Sequence, residues 1–142
     1  MQDLARSIIA CEARGRRPVE IKTPADFDVQ EKLRPQLATL MGNGGHRALL
    51  SRALVLAGAE LPWMRGLQVN AEGVLEGLEK IRASLSPEAF LEGKVLLLAE
   101  LLGLLVAFIG ESLTLRLLRE VWPKARLNDL DLVKEDNYEK TQ

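Results

Sequence analysis

The sequence predicts an all-α domain, and three observations carry that expectation. Leucine supplies 28 of the 142 residues, in company with alanine, glutamate and arginine, a helix-forming set. Apolar residues recur at three- and four-residue spacing along most of the chain, the repeat of one helix face. Stretches of strand type are scarce, and aromatic residues make up only 4%. The expected architecture is a helical bundle of four to five helices around a long leucine-rich C-terminal helix. It fills one domain over residues 1–126, with 1–35 as a looser N-terminal arm holding a short helix and 127–142 as a polar, partly disordered tail.

The first helix is expected over residues 2–14, where Leu4, Ile8, Ile9 and Cys11 share a face. Gly15-Arg16-Arg17-Pro18 ends it, and a polar connection runs through Lys22-Thr23-Pro24. Asp26 or Asp28 can cap the next segment, whose apolar positions include Phe27, Leu33, Leu37, Leu40 and Met41. Pro35 is tolerated in a first turn and costly further in, so the helix is expected to begin near Leu33 or Arg34. Gly42-Asn43-Gly44-Gly45 is the strongest punctuation in the chain. After it Leu49, Leu50, Ala53, Leu54, Leu56 and Ala57 predict a third helix, stopped by Leu61-Pro62-Trp63.

From Asn70 the spacing Val74, Leu75, Leu78, Ile81 and Leu85 favours a helix capped by Asn70. The rival reading is two short strands, Leu67–Val69 and Val74–Glu76, around Asn70-Ala71-Glu72-Gly73. Ser86-Pro87-Glu88 then opens a helix with a serine cap, proline at the first position and an acid in the first turn. Continued to Trp122, that helix would be about 54 Å long at 1.5 Å per residue. A domain of this size has a radius of gyration of about 14 Å, so it would overhang unless Gly103 or Gly110 breaks it.

Composition excludes several functions. One cysteine, Cys11, cannot make an intramolecular disulfide, and one histidine, His46, cannot join a structural zinc cluster. Nineteen basic against twenty acidic residues, with few stacking rings, argues against a nucleic-acid partner. The amino terminus lacks a signal-peptide pattern, and the unpaired cysteine fits a cytoplasmic location. Residues 95–110 are apolar except for Glu100, but fall short of the roughly 20 residues a membrane span needs. Extending them adds Glu111, and a carboxylate within a span costs about 2.5–3.5 kcal/mol, so membrane attachment is disfavoured.

Two places remain as candidate sites. The apolar helix has more hydrophobic surface than a few neighbours cover, and small residues along it permit close helix approach. The expected interface there is Ala99, Gly103, Leu104, Ala107, Phe108 and Gly110, and a strip of Ala89, Gly93, Glu100, Gly103, Ala107, Glu111 and Thr114 falls along one side of the helix. The second place is Asn43, Gly44, Gly45, His46 and Arg47, where free N–H groups at a helix start could hold an anion. That run lacks the Lys-Ser/Thr ending of a nucleotide loop. No catalytic set can be assembled around the lone histidine, and no cofactor or metal is implied. The expectation is a non-enzymatic helical interaction or regulatory module that self-associates or binds a protein partner. A ligand or anion sensor using Gly42–Arg47 and a membrane-attached helical protein are the alternatives.

Overall fold

Leu4, Ala5, Ile8 and Ile9 fall on one face of α1 (Gln2–Arg14), and all four are buried against α4. The computed structural model describes residues 2–14 and 28–123. The expected helix stop at Gly15–Pro18, the connection at Lys22–Pro24, the caps and contacts of Asp26 and Phe27, and the tail lie outside the described residues.

α2 (Asp28–Glu60) starts at Asp28, earlier than the expected Leu33 or Arg34, and carries Pro35 inside it. Proline in a helix removes one hydrogen bond and crowds the preceding turn. Leu33 and Leu37 flank it one turn apart and are both fully buried, and that packing offsets the local cost. The helix then bends at Gly42, whose φ of 81° and ψ of 163° lie in a region open essentially to glycine alone. The glycine punctuation is therefore a corner between two helical arms. On the second arm Leu49, Leu50, Ala53, Leu54 and Ala57 are buried, and the arm gives way to a 3-10 helix, Pro62–Gly66.

The helix expected from Asn70 does not form. Two short strands, β1 (Gln68–Val69) and β2 (Leu75–Glu76), pair antiparallel, with Val69 opposite Leu75. Asn70 acts as the hub of their turn rather than as a helix cap. Its Oδ1 accepts from the N–H groups of Glu72 and Val74, at 2.9 and 3.0 Å. Its backbone N–H donates to Val74, and Gly73, at φ 82°, donates back to Asn70. An asparagine side chain that satisfies turn amides competes directly with helix formation, and two positive-φ glycines, Gly73 and Gly77, reinforce the outcome. Only α3 (Leu78–Arg82) of the expected helix is present.

α4 (Pro87–Ile109) begins as its sequence requires, with Ser86 Oγ accepting from the Ala89 N–H at 3.1 Å. It does not continue to Trp122. Gly110, at φ 90° and ψ 163°, ends it and opens α5 (Glu111–Val121), so the 54 Å rod becomes two helices folded on each other. Gly103 stays helical within α4. Thr114 locks the corner by donating its hydroxyl to the Gly110 carbonyl at 2.7 Å. Leu97, Leu98, Leu101, Leu102 and Leu105 of α4 are at most 2% exposed, and α1, α2 and α5 all pack on this helix. Helix accounts for 81% of the described residues and β structure for one small hairpin, so the fold is all-α. Among the described residues no helix is long and apolar enough to cross a membrane.

Candidate functional site

The expected interface set is only partly assembled on one surface. Gly103, Leu104, Ala107 and Phe108 lie on the last two turns of α4, spaced so that 103 sits one turn below 107 and 104 one turn below 108. Phe108 is 74% exposed, Ala107 is exposed, and Gly103 and Leu104 are half-buried. A Cβ built on Gly103 would have no neighbour within 4 Å. Ala99, in contrast, is buried in the core, and Gly110 is spent on the corner.

The longer small-residue strip does not survive as one face. Trp63 lies across Gly93, where an added Cβ would stand 2.4 Å from the indole Cζ2. Thr114 is buried beyond the Gly110 corner, because the bend turns α5 away from the line of α4. Glu100 and Glu111 are both half-buried, and Glu111 sits in the first turn of α5, where a carboxylate complements the helix dipole. Among the described residues no group of His, Cys, Asp and Glu side chains could hold a metal ion. Cys11 is a half-buried free thiol packed against the core.

The glycine corner separates the residues of the candidate anion loop. Asn43, Gly44 and Arg47 are exposed and Gly45 is half-buried, while His46 turns inward and is 2% exposed. The tip of the β1–β2 hairpin closes over it: a Cβ on Gly73 would stand 2.9 Å from His46 Nδ1 and 3.9 Å from Arg34 Cδ. The ring's Nε2 is buried with no hydrogen-bond partner among the described residues. Burial, and then the positive charge of Arg34, hold the His46 pKa below its ordinary value. The cation that acts on this histidine is Arg34, on the other arm of α2. Neither Arg34 nor Gly73 carries a linear signal for this contact, since only the bend at Gly42 and the hairpin bring them to His46.

A shallow groove of about 420 Å³ runs between the second arm of α2 and the 3-10 helix, lined mainly by Leu54, Val55, Ala59, Met64 and Leu67. Arg65 spans it by donating from Nε to the Gly58 carbonyl at 3.0 Å. No protein-family model, curated protein or solved structure matches the chain.

Proposed function

We propose that the protein is a non-enzymatic helical interaction module that pairs with a second copy of itself through the C-terminal turns of α4. The observation that supports this reading is the exposure of Phe108 beside the open surface at Gly103. A phenylalanine ring left in water forgoes burial worth roughly 1.5–3 kcal/mol, and an uncovered glycine leaves room for such a ring to approach the helix. The two features are five residues apart, about 7.5 Å along a helix. Two copies crossing antiparallel under twofold symmetry would each seat Phe108 on the other's Gly103, with Ala107 and Leu104 filling the space between. Small residues at the crossing let the backbones approach closely, and the large residue supplies the buried area.

Sedimentation equilibrium of the full chain at high micromolar concentration tests this. The expected result is a mass of twice 15.7 kDa. Gly103→Leu separates assembly from folding, because an added Cβ at this position meets no neighbour within 4 Å in the protomer. That variant is expected to keep its helical circular dichroism and sediment as a monomer. A wild-type chain that stays at 15.7 kDa throughout, or a Gly103→Leu variant that associates as the wild type does, overturns the reading.

A further inference from the structure

The contact between the hairpin tip and the buried histidine closes a charge-sensitive space that self-association does not use. We propose that the β1–β2 hairpin is a pH-dependent latch, whose tip is released from the corner of α2 when His46 takes up a proton. The geometry supplies each part of such a device.

The ring is held from both sides by groups that cannot stabilise a positive charge. On the α2 side stands Arg34, the charged group that acts on His46. From the hairpin the facing group is Gly73, which brings backbone and no titratable atom. The carboxylates nearest the tip in sequence, Glu72 and Glu76, are both exposed. A proton on Nε2 would sit on a buried atom with no acceptor among the described residues. An unmet donor of that kind costs about 1–3 kcal/mol, and more when charged.

The hairpin is the part best able to yield. A pair of two-residue strands has little stability of its own and holds its position by docking. Its turn is a self-contained unit, because the amides of Asn70, Glu72, Gly73 and Val74 are bonded within residues 70–74. Once lifted from α2 the turn has only these bonds to hold it, so they open readily and its amides exchange, while the lifted tip gives the imidazolium water. Opening α2 would instead expose Leu33, Leu37 and Leu50, all fully buried.

The sign of the effect follows from the lowered pKa. The open state binds the proton more readily, so closure is complete above about pH 6.5 and weakens as pH falls through the closed-state pKa. Between those two limits the opening equilibrium rises by up to about tenfold per pH unit, the slope for one proton.

One experiment on the full chain reads both halves. The chain has a single histidine, so the ring resonances in a pH titration by NMR belong to His46. Amide hydrogen exchange over the same range, corrected for its intrinsic pH dependence, follows Gly73 and Val74. The expected result is a ring midpoint below 6.5, with protection of those amides lost in step while amides of Leu101 and Leu102 stay protected. Gly73→Ala provides the converse. It places a methyl against the ring at a positive-φ position, so the tip opens at neutral pH and the ring midpoint returns toward 6.5. In His46→Leu the hairpin protection is expected to be independent of pH. Where that variant does not fold, the Gly73→Ala titration decides alone. A wild-type ring midpoint at or above 6.5, hairpin protection that ignores the ring titration, or simultaneous loss of α4 protection overturns the proposal.

Discussion

Gly93 shows how a single missing side chain positions a neighbour. The Trp63 indole lies where a Cβ at residue 93 would be, with Cζ2 and Cη2 at 2.4 and 2.6 Å from that point. A tryptophan ring cannot bend aside like the end of a methionine, so relief requires moving the ring or the 3-10 helix that carries it. Gly93→Ala is expected to lower unfolding free energy by about 1–3 kcal/mol despite the better helix propensity of alanine. Urea denaturation checks the sign, and a stability equal to or above the wild type would show that Trp63 relocates freely. His46 makes the complementary case. In the sequence it is a lone base, and its surroundings are invisible because Gly73, which approaches the ring, and Arg34, whose charge acts on it, are distant along the chain. A residue's place in a corner is legible only after the corner is known.

The elements divide into those written locally and those decided by packing. Ser86-Pro87-Glu88 fixes the start of α4 because cap, ring geometry and charge all act within one turn. Pro35 misleads because its cost is local while the compensation, the burial of Leu33 and Leu37, is tertiary. Residues 70–77 mislead in the opposite sense: apolar spacing suits a helix, yet the Asn70 side chain bonds to two turn amides and wins. The two corners have nearly the same backbone, φ 81° and ψ 163° at Gly42 and φ 90° and ψ 163° at Gly110. Neither has an atom within 4 Å of an added Cβ, so any penalty on substitution is conformational and not steric. Gly42→Ala and Gly110→Ala are each expected to cost about 1–3 kcal/mol. Gly103→Ala serves as the control, because the position is equally open and its backbone is helical. There, at a protomer concentration too low for pairing, alanine is expected to stabilise by about 0.5–1 kcal/mol. Equal effects at all three positions, measured by urea denaturation, would remove backbone conformation as the cause.

For the molecule as a whole, the leucine excess finds two different uses. Most of it is consumed internally: α4 is covered by α1, by α2 and, after the Gly110 corner, by α5. That corner resolves the overhang which a continuous helix to Trp122 would create, and it does so without a second copy. Among the described large apolar side chains that stay exposed, Leu40, Val55, Leu91, Phe108 and Leu113, the Phe108 ring near the end of α4 is the most open, at 74%. The proposed self-association through this patch would link folding to protomer concentration, since a pairing that binds only the folded chain stabilises it by mass action. The midpoint of thermal unfolding is therefore expected to rise across a hundredfold increase in concentration, by a few degrees for each 1 kcal/mol gained. Phe108→Ser is expected to remove that dependence while leaving the midpoint at the lowest concentration nearly unchanged, because a ring that touches water in the protomer contributes little to protomer folding. A wild-type midpoint that stays constant over the whole range would mean that the exposed ring has no second copy to meet. A Phe108→Ser midpoint that falls by the same amount at every concentration would assign the ring to the protomer's own stability, and in either case the pairing through α4 would be lost.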